Sequence, residues 1–127
     1  MTEEILSSET PIEDLRAKAF AAATTNQEGT DGQRTYRTRS VDVKRYVLAR
    51  AGGRCDCCNG TAPFQTPEGM PYLESHHTNM ISEGGPDDPR WVAAVCPNCH
   101  REIHYGASCN GLNHNLRLKI REIEDNL

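Results

Sequence analysis

Apolar positions recur along the chain with two different periods. Ile12, Leu15, Ala19 and Ala22 sit three and four residues apart, directly behind Thr10-Pro11-Ile12-Glu13. That spacing places them on one face of a helix running to about Ala23. Thr10 is suited to cap this helix, Pro11 to stand at its first position and Glu13 to close a capping box. Residues 24–33, TTNQEGTDGQ, are polar with two glycines and predict a linker. Val43 and Val47 then share a face of a second helix, Val41 to Ala51, capped by Ser40 and stopped by Gly52-Gly53.

Further along, the apolar runs shorten. Ala62–Gln65 and Tyr72–His76 flank Thr66-Pro67-Glu68-Gly69, whose residues suit a turn, and together they predict a β-hairpin. Ser82 to Pro89, SEGGPDDP, predicts a loop, and Trp91–Val95 is a short apolar run. Pro97 fits the first position of a short helix from Asn98 to Tyr105, ending near Gly106. Leu116, Ile120, Ile123 and Leu127 form the stripe of a C-terminal amphipathic helix. The resulting order, α–α–β–β–loop–α–α, predicts a small α+β domain.

The length of 127 residues fits one such domain, and 36% hydrophobic with 25% charged residues is a globular balance rather than a disordered one. No run approaches the roughly 18 apolar residues of a membrane span. The start, MTEEILSSET, lacks the basic flank and apolar stretch of a secretory signal, so a cytoplasmic protein without membrane association is expected. The net charge of -4 conceals an asymmetry. Residues 1–31 carry seven acidic side chains against Arg16 and Lys18. Residues 34–54 carry Arg34, Arg37, Arg39, Lys44, Arg45, Arg50 and Arg54 against Asp42 alone. Two readings of this basic block stay open: a footprint for phosphates, or a solvated helix face.

Cysteine and histidine spacing changes the picture most. Without a secretory signal, clustered thiols are more often metal ligands than disulfides. Cys55-x2-Cys58 and Cys96-x2-Cys99 form two knuckles, and four thiolates so paired can close a tetrahedral shell around a structural Zn2+. A redox dithiol is the alternative, but it normally needs a single CxxC. Cys57 is poorly placed to chelate together with its neighbour Cys58, and Cys109 has no partner in the pattern. His100 and His104 are four apart, so one helix face presents both imidazoles to a single metal. His76 and His77 are adjacent on a predicted strand and point to opposite faces, which frees one for metal binding and the other for proton transfer.

Tyr72-Leu73-Glu74-Ser75-His76-His77, Ile81-Ser82-Glu83-Gly84-Gly85-Pro86-Asp87 and Val95-Cys96-Pro97-Asn98-Cys99-His100-Arg101-Glu102-Ile103-His104 together resemble the HNH nuclease motif. The variety most resembled is the McrA-type HNH domain of modification-dependent restriction enzymes, from about Arg39 to the C-terminus. The resemblance implies a ββα-metal (His-Me finger) fold, with a hairpin, an Ω-like loop and a helix around one divalent ion. It implies that His77 is the general base, and that His76 and His100 hold a catalytic Mg2+, Mn2+, Ni2+, Co2+ or Zn2+. His104 matches a third ligand of the colicin DNase branch, which many other HNH domains lack. Many members carry an Asn just before the apolar strand, where it orients the catalytic histidine; Trp91 stands there instead. Asn98 is the nearest asparagine able to help, or else a helix-start residue satisfying backbone donors. Arg101, beside the ligands, would steady a phosphate.

The function expected is a metal-dependent DNA endonuclease, nicking or cutting both strands, in restriction or phage defence. Arg34, Arg37, Arg39, Lys44 and Arg45 would grip the DNA backbone. The alternatives are a zinc-stabilised nucleic-acid-binding module with a degenerate nuclease centre, and a redox or metal-storage protein. Residues 1–33 are expected to be a helical arm and linker, and residues 34–127 the HNH nuclease domain. A second copy of the chain, or a separate DNA-recognition domain or protein, is the expected partner besides DNA. The chain could equally be a fragment of a longer protein.

Overall fold

The computed structural model describes residues 10–23, 30–78 and 88–127, with the backbone alone over 30–40. The predicted loop from Ser82 therefore lies outside the described residues up to 87. Helix α1 spans Ile12–Ala22. Its N-cap is Pro11 and makes no side-chain cap bond. The Pro11 carbonyl takes the N–H groups of Asp14 and Leu15 instead. The capping box predicted on Thr10 and Glu13 is thus not what starts the helix, because the cap falls one residue later.

Helix α2 spans Thr30–Ala51, beginning well before the predicted Val41 and absorbing residues 30–33 of the predicted linker. Among the described side chains of α2, the buried apolar ones are Val43, Tyr46 and Val47. The end is as predicted. Gly52 and Gly53 both take positive φ, 63° and 84°, and Gly52 N–H returns to the Leu48 and Ala49 carbonyls.

Strand β1 (Glu74–His77) pairs antiparallel with β2 (Val92–Val95), Glu74 opposite Val95 and His77 opposite Val92. The predicted hairpin is therefore corrected. Ala62–Gln65 forms no strand and contributes one isolated bridge, Gln65 to Pro71; a second, Arg54 to Thr61, lies just before it. The predicted turn does form, with Gly69 N–H 2.8 Å from the Thr66 carbonyl and φ of 88° at Gly69. All four residues of β2 are buried, so this strand needs cover on both faces and along both edges. β1 covers one edge. Asp56 covers the other, its N–H on the Ala94 carbonyl and its carboxylate on the Ala94 N–H, both at 2.8 Å.

Helix α3 (Pro97–Tyr105) follows β2 at once, with Cys96 as N-cap and its sulfur taking the Cys99 N–H. Helix α4 (Cys109–Asp125) closes the domain. Leu116 and Ile120 are buried as the stripe predicts, while Leu127 lies past the helix end and is 69% exposed. Leu15 and Ala19 of α1, the buried face of α2, β2, Ile103 and the α4 stripe form one core. Among the described residues, no helix is long and apolar enough to cross a membrane.

A polar knot sits inside this core. The Glu124 carboxylate, its side chain 1% exposed, accepts from Tyr46 Oη at 2.5 Å, Arg50 at 2.8 Å and Arg16 at 3.0 Å. Arg50 also donates to the carbonyls of Pro89 and Val92, at 2.9 and 2.6 Å. This corrects the reading of Arg50 as part of a phosphate-gripping block: its side chain is 4% exposed and engaged in the interior. Breaking a buried ion pair from one side strands the remaining charge. Glu124→Ala should therefore cost about 3–5 kcal/mol of folding free energy, read as a lowered urea midpoint. Arg16→Ala, which removes a part-exposed partner, should cost under about 1 kcal/mol. Equal losses in the two variants would show that the knot is not where the stability resides.

Candidate active site and metal centres

Cys55, Cys58, Cys96 and Cys99 each bring a sulfur to one place, all four within 4.8 Å of one another. The backbone around them is arranged for thiolates. Cys55 Sγ accepts the N–H groups of Cys57, Cys58 and Cys96 at 3.3, 3.4 and 3.3 Å. Gly60 N–H points at Cys58 Sγ and Cys99 N–H at Cys96 Sγ. Burial pushes the Cys55 thiol up, but the backbone donors outweigh it and bring it down to about 7. Burial and the adjoining sulfurs push the Cys99 thiol up. Four thiolates share that space only when a cation offsets their charge, so the donor set fits a soft divalent ion. Cys57 is outside the set, and the Cys109 thiol donates to the neighbouring Asn110.

The second cluster is built on β1 and α3. His76, His100 and His104 converge, with ring centroids 5.0 to 5.3 Å apart and one ring nitrogen from each within 4.8 Å of the others. Strand alternation turns His76 inward, 4% exposed, while His77 next to it takes the opposite face and is half-buried. Helical spacing sets His100 and His104 one turn apart, and Ile103 on the buried side of α3 anchors them to the core. Burial, together with the other histidines, pushes His76 down to about 4. It is therefore neutral near pH 7, the form that binds metal.

Two further residues hold these imidazoles from behind. Glu74 Oε1 is 2.8 Å from His100 Nδ1, and Glu74 Oε2 accepts from Tyr72 Oη at 2.7 Å. The bond to His100, then the one to Tyr72, hold the Glu74 carboxyl below its ordinary value, and Arg101 adds to this. Asn113 of α4 places Oδ1 2.8 Å from His76 Nε2 and donates Nδ2–H to the Thr78 carbonyl at 2.9 Å. Sequence reasoning missed both residues. Asn113 was detectable as a polar residue one turn before Leu116 on the buried face of α4, and Glu74 as a carboxylate two before His76.

The remaining predicted site residues are placed as follows. Asn98 is exposed in the first turn of α3, and its side chain has no hydrogen-bond partner among the described residues. Arg101 is exposed on α3 beside the cluster. Lys44 is exposed, and Arg45 pairs with Asp42 at 3.9 Å. The side chains of Arg34, Arg37 and Arg39 lie outside the described residues. Trp91 keeps its carbonyl on Thr78, which donates both N–H and Oγ1–H to it at 2.8 Å. Its ring faces the guanidinium groups of Arg117 and Arg121, at 5.6 and 5.4 Å.

Comparison with known proteins agrees with this geometry. The family profile described as HNH endonuclease matches residues 55–106. The type IV methyl-directed restriction enzyme EcoKMcrA of Escherichia coli (strain K12) is 39% identical over 92 residues, 72% of this chain and 33% of that protein. The solved structure of the type IV phosphorothioation-dependent restriction endonuclease ScoMcrA matches with a TM-score of 0.75 at 31% identity, over 95% of this chain and 24% of that one. The chain thus spans a third or less of the length of either relative. The matched segment holds both cysteine knuckles and all three converging histidines, so residues 55–106 carry an HNH domain similar to that of the McrA-type restriction enzymes.

Proposed function

We propose that this chain is the cutting module of a DNA restriction system, hydrolysing phosphodiester bonds with the help of a divalent cation. The observation that carries the reading is the split of His76 and His77 across β1. His76 joins a three-histidine cluster, and His77 takes the opposite face of the strand, where we assign it the role of base. Residues 34–127 form the nuclease unit in this reading. Residues 1–33 are its arm, and α1 lends Arg16 to the Glu124 knot.

His77 accepts the proton of the attacking water, since imidazole is the side chain whose ordinary titration lies nearest neutrality. His76, His100 and His104 hold the catalytic cation. When bound there, a divalent ion supplies stabilisation of the charge that develops on the phosphate and the leaving 3′ oxygen. Arg101 steadies a phosphate oxygen from the exposed side of α3. Asn98, at the start of the same helix, stands ready to position the substrate. Arg34, Arg37, Arg39, Lys44 and Arg45 grip the backbone along α2, an attachment that carries little sequence information. Zn2+ is the ion assigned to the four cysteines, because thiolates at this spacing favour a closed tetrahedral shell.

The names of the relatives tie them to methylated and phosphorothioated DNA. We place choice of target in a separate recognition domain or protein. One centre cuts one strand, so a double-strand break requires a second copy of the chain or a second event. The competing reading is a zinc-stabilised binding module with a degenerate centre, and Trp91 in place of the motif asparagine favours it. Nicking of supercoiled plasmid in Mn2+, Co2+ or Ni2+, and none in chelator, is the expected result; no nicking in any cation would leave the binding module.

Three outcomes follow from the site. His77→Ala should abolish nicking while leaving DNA affinity and metal content near wild type, because a base acts in the transition state rather than in ground-state binding. Retained activity would assign the base elsewhere. Cys96→Ser should lose about one tightly bound zinc per chain and the cooperative unfolding transition with it; a zinc-free variant that still folds would remove the structural role. Replacing Arg37, Arg39, Lys44 and Arg45 by Ala should weaken binding alike on all sequences. The log–log salt slope on duplex DNA should fall by about 0.9 for each phosphate that is no longer neutralised. An unchanged slope would turn these side chains away from DNA.

A further inference from the structure

We infer that Asn113 is the positioning residue of the histidine cluster: it fixes the tautomer of His76 so that Nδ1 carries the lone pair offered to a cation. The inference rests on the reading of His76, His100 and His104 as ligands. It follows from the hydrogen-bonding capacities of three groups. The Thr78 carbonyl can only accept, so the amide at 2.9 Å from it must present its NH2. That settles the orientation of the amide, whose oxygen and nitrogen ends are alike in shape and differ only in what they bond. Oδ1 is left facing His76 Nε2 at 2.8 Å, and an amide oxygen can only accept. His76 Nε2 must therefore carry the proton, and Nδ1 the lone pair.

The surroundings agree. His76 is 4% exposed, so water cannot supply a competing partner for the ring. Glu74 does the same for His100 in the opposite sense: its carboxylate on Nδ1 places the proton there and leaves Nε2 free. The two ligands thus meet the cation through different nitrogens, each set by a residue behind it. Arg117 lies one turn after Asn113 on α4 and also donates to the Thr78 carbonyl, at 2.6 Å. Two side chains of α4 therefore clamp the residue that directly follows His77. Asn113 links the orientation of the buried ligand to the strand end that carries the proposed base.

The test uses the whole chain with its cysteine site loaded. Ring nitrogens of 15N-histidine-labelled wild-type protein, read by long-range 1H–15N correlation, should show His76 protonated at Nε2. Co2+ binding to the histidine cluster is then titrated in Asn113→Leu and Asn113→Asp. Asn113→Leu should weaken Co2+ binding about 10- to 100-fold, the usual effect of removing a partner of a ligating histidine. Asn113→Asp keeps an acceptor on Nε2–H, with Arg117 still donating to the Thr78 carbonyl, and should bind Co2+ more tightly than Asn113→Leu. An Nδ1–H tautomer in the wild-type protein overturns the inference, as does a folded Asn113→Leu variant with unchanged Co2+ affinity. If Asn113→Leu does not fold, the wild-type tautomer decides. None of these readouts uses cleavage, so a wild-type protein that fails to nick DNA sinks the nuclease reading and leaves this one standing.

Discussion

The Glu124 carboxylate is the interaction on which the rest of the domain depends. A carboxylate removed from water is costly unless donors surround it, and three arrive from two other helices: Arg16 on α1, and Tyr46 and Arg50 on α2. Burial and the bond to Glu124 push the Tyr46 hydroxyl up to about 12, so it remains a donor throughout the physiological range. Arg50 carries the constraint onward. It also holds the carbonyls of Pro89 and Val92, at the entry to β2. The register of β2 then places β1, and β1 places His76 and His77 on opposite faces. An apolar replacement of similar volume could fill the same space. It would not specify which carbonyl sits at which guanidinium nitrogen, and that specification sets the strand.

Helix α3 serves both clusters from nine residues. Cys96, Cys99, His100 and His104 lie within little more than two turns, so a small tilt of α3 displaces the sulfurs and the imidazoles together. The two sets of ligands are prepared in different ways. The sulfurs receive backbone N–H groups, most from their own knuckle and one, Cys96 N–H to Cys55 Sγ, across from the other knuckle. The imidazoles receive side chains from elsewhere, Glu74 for His100 and Asn113 for His76. The cysteine cluster is therefore prepared by the backbone and ties the start of α3 to the first knuckle. The histidine cluster is a long-range device that registers whether β1, α3 and α4 are correctly assembled.

This difference explains how much could be read from sequence. Both CxxC knuckles, the pair His100 and His104, and the alternation of His76 and His77 are local patterns, and the structure brings the four cysteines together and gathers His76 with His100 and His104. What escaped was non-local. Ala62–Gln65 resembles a strand as well as Trp91–Val95 does. Burial on both faces, which selects Val92–Val95 as the partner of β1, is a property of the assembled core. Arg50 reads as one more charge in a basic run and Glu124 as a solvated acid near the chain end, yet they meet across 74 positions. Asn113 carries no motif at all, since its role exists only where α4 passes the end of β1.

Trp91 shows how the site keeps its geometry without an amide at that position. The backbone there still does its part: the Trp91 carbonyl takes both donors of Thr78, which closes the strand pair directly after His77. The indole adds no hydrogen bond to that closure among the described residues. Instead it offers a flat face to Arg117 and Arg121, close enough for cation–π attraction that draws α4 against the strand ends. Arg117 and Asn113, so held, reach the Thr78 carbonyl from the other side. Thr78, following His77, is thus fixed at its N–H by Trp91 and at its carbonyl by α4. That helix is itself packed into the core through Leu116 and Ile120, so the strand end after His77 is held against a buried element.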